Sequence, residues 1–218
     1  MTMRTTDDRT GARRLLVMLP GADMSAEDFR THGFFAAVRE RGLPVDMTAV
    51  ETGMEAYLDG LSVPPLHEQV IAPAHAAGMR IWLVGISLGG MGALLYARAH
   101  PELIAGVVLL APFIGSRGLI AEVERAGGLR HWRPASGETE TNERRLLAWL
   151  GAGEGLPDMR LGYGTDDRFA AAHRLLAALL PADRVATAPG GHDWPTWRCL
   201  WQEMLPTAAF AAPDDAEQ

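Results

Sequence analysis

Residues 80–90 read Arg80-Ile81-Trp82-Leu83-Val84-Gly85-Ile86-Ser87-Leu88-Gly89-Gly90, and this stretch decides the fold. Its first half is a continuous apolar run, the pattern of a strand covered on both faces. Its second half opens a helical pattern, Gly89 to His100, that stops before Pro101. A strand that turns directly into a helix leaves little space at the turn. Gly85 and Gly89 let the backbone pass close, and Gly90 helps the helix pack on the sheet. Ser87 is then held at the tip in strained backbone with its hydroxyl free.

The strand–helix rhythm extends both ways. Arg14–Leu19, Val45–Val50, Gly106–Leu110, Asp158–Gly162 and Arg184–Ala188 are read as continuous rather than alternating runs, and with Arg80–Gly85 they make six strand candidates. Helical patterns lie between them. One starts at a Ser25 cap, with Asp28 three residues on, and ends before Gly42. Others cover Leu66–Ala77, interrupted by Pro73, then Phe169–Leu180 and Trp194–Met204. The alternation predicts an α/β fold: a mostly parallel sheet of about six strands with helices on both faces.

Residues 112–157 break the rhythm after the fourth predicted strand. They carry two helical patterns, Gly118–Arg125 and Asn142–Leu150, joined by a polar segment over 127–141. A crossover needs far fewer residues. The stretch is read as a small helical insertion, either a lid or a partner surface such as a homodimer contact. Leu119, Ile120, Val123, Leu129, Trp132, Leu146, Leu147 and Trp149 are its candidate pocket wall. The chain, 1–218, reads as one domain. Residues 1–11 and 206–218 have no apolar period and are expected to be flexible termini.

Composition removes several chemistries. All 20 positive residues are Arg, so Schiff-base chemistry and a phosphate loop built on Lys are excluded. With 27 acidic residues the net charge is −7, which argues against nucleic acid as the main partner. Cys199 is the single cysteine, so no internal disulfide and no thiolate zinc site can form. It is expected to be a buried apolar residue of the last helix. The longest apolar run, Ile104–Ile114, has 11 residues, short of the ~20 of a membrane span. The polar start has no secretory pattern, and the chain is read as cytoplasmic.

A serine hydroxyl needs a base. Among seven histidines, His32, His67, His75, His100 and His173 fall in or beside helical patterns, where a solvated or capping role is the default. His131 is in the insertion. His192 follows the last strand in Gly190-Gly191-His192-Asp193-Trp194, where loops face the crevice of an open α/β sheet. The base in turn needs an acid to fix its tautomer. Asp166 and Asp167, in Gly164-Thr165-Asp166-Asp167 at the end of the fifth predicted strand, both satisfy the order Ser, acid, His.

These three motifs, Gly85-Ile86-Ser87-Leu88-Gly89, Gly164-Thr165-Asp166-Asp167 and Gly190-Gly191-His192, resemble the α/β-hydrolase superfamily, over roughly Arg14 to Met204. The resemblance is closer to small carboxylesterases than to large lipases. It implies a nucleophile elbow at Ser87 and favours Asp167 as the acid, three residues after Gly164 and with Phe169 shortly behind. Asp166 is the alternative acid; the other of the pair is expected to cap the next helix. The resemblance also implies an oxyanion hole from the backbone N–H groups of Leu88 and Ala22. Where the family usually has His-Gly, this chain has Pro20-Gly21. Asp23 would repel an oxyanion, so it is expected to point away, toward the start of the next helix. Extra N-terminal strands have no room before Arg14.

The expected activity is a serine hydrolase cleaving a carboxylic ester of a small or medium acyl substrate, with Ser87, Asp167 and His192 catalytic and no metal or organic cofactor. The alternatives are an acyl thioesterase or an acyl- or peroxide-transferring enzyme on the same triad, and a non-catalytic binding protein. Met24, Met91 and Trp194 are candidate substrate contacts. Lone methionines are usually core filler. Trp194, Trp197 and Trp201 share one helix face and read better as a core stripe. Arg168 binds an acidic substrate group or, on the better reading, pairs with a carboxylate.

Overall fold

The computed structural model describes residues 3–51, 64–135, 141–207 and 210. Seven strands form one sheet: β1 (Thr5–Asp8), β2 (Arg14–Leu19), β3 (Asp46–Val50), β4 (Arg80–Ile86), β5 (Gly106–Leu110), β6 (Asp158–Gly164) and β7 (Val185–Ala188). Their order is β1-β3-β2-β4-β5-β6-β7. All pairings are parallel except β1 with β3. The central strands are apolar on both sides because both faces are covered. Leu15, Val17, Leu83, Val107, Leu109 and Leu161 join one core cluster. Their neighbours Leu16, Met18, Trp82, Val84, Val108 and Leu110 join the other.

The second cluster is covered by α1 (Ala26–Thr31), α2 (Phe34–Glu40) and α8 (Trp194–Met204). The first is covered by α3 (64–76), α4 (Leu88–Ala99), α5 (Arg117–Arg125), α6 (Asn142–Ala152) and α7 (Ala170–Ala177). Helix α3 runs through Pro64–Leu66, a wide π turn His67–Ile71 and Ala72–Ala76. Pro73 therefore sits at the start of its last segment and does not break it.

Several expectations are corrected. Thr5–Asp8 form a strand, so there is room for one before Arg14. β1 is short and polar, so no apolar pattern announces it. It is held by pairing with β3 and by side chains: the Arg39 guanidinium grips both Asp8 carboxylate oxygens at 3.1 and 3.2 Å and the Asp8 carbonyl at 3.1 Å. Asp46 Oδ1 accepts from the N–H groups of Thr10 and Ala12. With β1 the sheet has seven strands, the six expected ones and this one, and it is mostly parallel as expected. In the C-terminal tail Phe210 is buried against Trp82 and Trp201; residues 208–209 and 211–218 lie outside the described residues. The helix from Ser25 to Gly42 is two helices, because Gly33 takes a left-handed conformation between them. Cys199 is exposed, since it falls on the outer side of α8.

The insertion helices form where expected, but their apolar residues pack as core. Val123, Leu146 and Leu147 are fully buried in the same cluster as α4 and β4. Helix α6 lies against α4, and α5 against α7. Trp132 donates to Glu122 at 2.8 Å, and Arg144 pairs with the same carboxylate. Residues 136–140 lie outside the described residues.

Candidate active site

Ser87 closes β4 and precedes the first residue of α4. Its backbone, at φ 51° and ψ −116°, is one that a residue with a Cβ rarely adopts, and it stores on the order of 1–3 kcal/mol of strain. The surroundings hold it there. Its N–H donates to the Leu110 carbonyl at 3.0 Å, and its own carbonyl accepts from Gly90 at 3.0 Å and Phe113 at 2.8 Å. Glycine is required beside it. A Cβ on Gly85 would stand 2.4 Å from the Gly89 carbonyl oxygen, and one on Gly89 would stand 2.1 Å from the Leu19 carbonyl oxygen.

The loops after β6 and β7 bring two more residues to the serine. His192 Nε2 lies 2.9 Å from Ser87 Oγ, and His192 Nδ1 lies 2.7 Å from Asp167 Oδ2. The carboxylate calls for a proton on Nδ1, which leaves the Nε2 lone pair facing the serine hydroxyl. Phe169 and Trp197 pack edge-to-face on the His192 ring, at 5.1 and 5.0 Å. Together they fix its plane.

The two candidate acids separate cleanly. The Asp167 side chain is fully covered, and its second oxygen accepts from the Phe169 N–H at 2.8 Å. Burial raises its carboxyl. The hydrogen bonds from His192 and the Phe169 N–H outweigh that and hold it below the usual range. Asp166 is exposed. Its Oδ2 accepts from the Gly190 N–H at 3.2 Å, while its N–H donates to the Gly190 carbonyl at 3.0 Å. It clasps the histidine loop and does not cap α7, whose N-cap is Phe169.

The proposed oxyanion donors flank Ser87. Leu88 is the first residue of α4, so its N–H has no acceptor within the helix. The β2–α1 loop comes close, since a Cβ on Gly21 would lie 3.2 Å from Ser87 Cβ, and Ala22 follows in an exposed turn. Asp23 is exposed with φ 57°. It does not cap α1, whose N-cap is Ser25; the Ser25 N–H donates to Asp28 at 2.7 Å.

The remaining candidates divide. Met24 sits beside the loop, its Sδ 3.2 Å from the Gly21 N–H nitrogen. Met91 is buried in the core. Trp194 stacks flat on His32, ring centroids 4.2 Å apart, and meets Phe29, Phe34 and Trp197 edge-on. The Arg168 guanidinium lies over the Phe169 ring at 4.9 Å, in place of the carboxylate pairing expected of it. Sequence reading missed His173. It is buried, not solvated, and Nε2 meets the Pro112 carbonyl. It also passed over Phe113, which touches the serine backbone. Among the described residues no group of three or more His, Cys, Asp or Glu is arranged to hold a metal, and no helix is long and apolar enough to cross a membrane.

The fold has counterparts among known proteins. A family model described as the alpha/beta hydrolase fold matches residues 78–138, from the approach to β4 through α5. A search of curated proteins found no match. Among solved structures, the fluorophosphonate-binding serine hydrolase FphF of Staphylococcus aureus superposes with a TM-score of 0.67 at 15 % identity, covering 95 % of this chain and 87 % of that one. An S-formylglutathione hydrolase from Agrobacterium tumefaciens gives 0.59 at 14 % identity, with 95 % and 98 % covered. A putative non-heme bromoperoxidase, BpoC from Mycobacterium tuberculosis, gives 0.63 at 16 % identity, with 97 % of each chain covered. The seven-stranded, mostly parallel sheet and these superpositions show that the chain has the α/β-hydrolase fold.

Proposed function

We propose that the protein is a serine hydrolase that cleaves carboxylic esters of small or medium acyl groups through an acyl-enzyme. The observation that carries this reading is the continuous line Ser87 Oγ–His192 Nε2, His192 Nδ1–Asp167 Oδ2, at 2.9 and 2.7 Å. It ends on a serine strained outward at a strand–helix turn. The names of the structural neighbours support it, a serine hydrolase and an S-formylglutathione hydrolase among them.

Ser87 Oγ attacks the acyl carbonyl carbon while His192 Nε2 takes its proton. The carbonyl oxygen becomes an oxyanion, which receives the N–H groups of Leu88 and Ala22. The imidazolium is stabilised by the Asp167 carboxylate. On collapse it passes its proton to the leaving alkoxide, so the alcohol departs and the acyl group stays on Ser87. Water then attacks the acyl-enzyme with His192 again as base, releasing the acid and restoring the serine.

The test is turnover of a p-nitrophenyl ester series from acetyl to dodecanoyl, with Ser87→Ala in parallel. The expected result is turnover that depends on acyl length and vanishes in the variant. Equal turnover by folded Ser87→Ala would overturn the reading.

A further inference from the structure

Helix α7 begins three residues after Asp167, and its inner face carries His173, which is 0 % exposed. The ring packs against Tyr163 at 5.3 Å. Its Nε2 lies 3.1 Å from the Pro112 carbonyl oxygen. Its Nδ1 has no hydrogen-bond partner among the described residues. The carbonyl can only accept, so Nε2 carries a proton and donates it, and burial, which pushes the ring down to about 4, keeps Nδ1 unprotonated near neutral pH. The ring does not reach Ser87 or His192 directly by any of these bonds, and the reaction above does not use it.

The bond to Pro112 nevertheless leads to the nucleophile. The next residue in the chain, Phe113, donates its N–H to the Ser87 carbonyl at 2.8 Å. Pro112 also braces the start of α4, because a Cβ on Gly90 would lie 2.6 Å from Pro112 Cβ. At the other end, α7 rises from the loop whose Phe169 N–H holds Asp167, and the His173 N–H donates to the Phe169 carbonyl at 3.2 Å. One helix therefore touches both ends of the Ser87–His192–Asp167 line. A leucine would fill the space without stranding a nitrogen, but it would leave the Pro112 carbonyl unheld.

We propose that His173 is a positioning residue: by holding the Pro112 carbonyl it fixes the 112–113 backbone and the Ser87 carbonyl, and so keeps Ser87 Oγ within reach of His192 Nε2. This rests on the serine hydrolase reading above.

The test compares His173→Gln with His173→Met. The two side chains are close in length and volume, and glutamine alone keeps a donor near Nε2. Both are assayed at a temperature where unfolding curves show them folded. His173→Met is expected to lose about 10-fold or more in kcat with KM nearly unchanged, and the rate of fluorophosphonate labelling of Ser87 falls with it. A displacement of about 1 Å at a reacting group costs up to about 100-fold. His173→Gln is expected to restore most of that loss. Equal kcat in the two variants, or a change confined to KM, would overturn the proposal.

A second measurement uses the unaltered protein. Ring-nitrogen spectra of the 15N-labelled chain should show His173 neutral with the proton on Nε2. A proton on Nδ1 would overturn the proposal whether or not the variants fold. Failure of the wild type to label or to hydrolyse any ester would instead strike the underlying reading, and the tautomer result would be unaffected by it.

Discussion

The turn at 85–90 and the helices α5 and α6 are held by different forces. The turn is a matter of backbone sterics. Gly85, Gly89 and Gly90 sit where a Cβ would collide with a carbonyl or with Pro112, and Ser87 is locked by hydrogen bonds to Leu110, Gly90 and Phe113. The insertion is a matter of side-chain burial. Val123, Leu146, Leu147 and Leu150 lose all contact with solvent against α4 and the sheet. Sterics of that kind tolerate one residue type and write themselves into the sequence. Burial tolerates many apolar residues, so the sequence announces the helices but not the surface they cover.

The comparison can be broken by exchanging small groups in each region. Gly89→Ala places a methyl against the Leu19 carbonyl oxygen. The main chain must shift at the serine, and ester turnover should fall by 1,000-fold or more, or the protein should fail to accumulate folded; steady-state kinetics and circular dichroism check this. Asp167→Asn removes the group that sets the His192 tautomer, and kcat should fall by about 10,000-fold with the fold intact.

In the insertion, Leu147→Ala leaves a cavity in a fully buried site. Stability should drop by about 2–5 kcal/mol, read from the denaturation midpoint, while kcat below the transition stays within a few-fold of wild type. A large loss of kcat in that variant would show that the insertion helps shape the site after all.

Stability against pH sharpens the role of the helix between the two regions. Burial pushes His173 down to about 4, whereas in the unfolded chain it titrates near 6.5. Between those values the unfolded state takes up a proton that the folded state refuses. The contribution is therefore complete above about pH 6.5 and lost as the pH falls toward 4, by about 3 kcal/mol. Urea unfolding across that range should show the loss, and His173→Gln should remove it. The smallest effect is expected at Asp166, which is exposed and clasps Gly190. Asp166→Asn should keep kcat within a few-fold of wild type. A loss as deep as that of Asp167→Asn would reverse the assignment of the acid.

The same contrast explains what could be read in advance. The strand run before Gly85, the glycines around Ser87 and the glycines before His192 are all local features, so the α/β architecture and the three residues that the structure brings together were legible. The choice between Asp166 and Asp167 was not decided by the residues themselves. Both stand at the strand end, and only the turn of the backbone buries one and exposes the other. β1 was invisible because its four residues are polar and are held by distant partners, Arg39 among them. His173 was invisible for a related reason. A histidine in a helical pattern carries no sign that its helix will face Pro112, 61 positions away in the chain.

The most direct measurement is reaction of the pure protein with a fluorophosphonate, followed by mass spectrometry of the intact chain and of its peptides. A nucleophilic Ser87 served by His192 predicts a single adduct on the peptide that contains Ser87, absent from Ser87→Ala and strongly slowed in His192→Ala. A folded wild-type protein that takes up no label, or an adduct that persists in Ser87→Ala, would contradict the account.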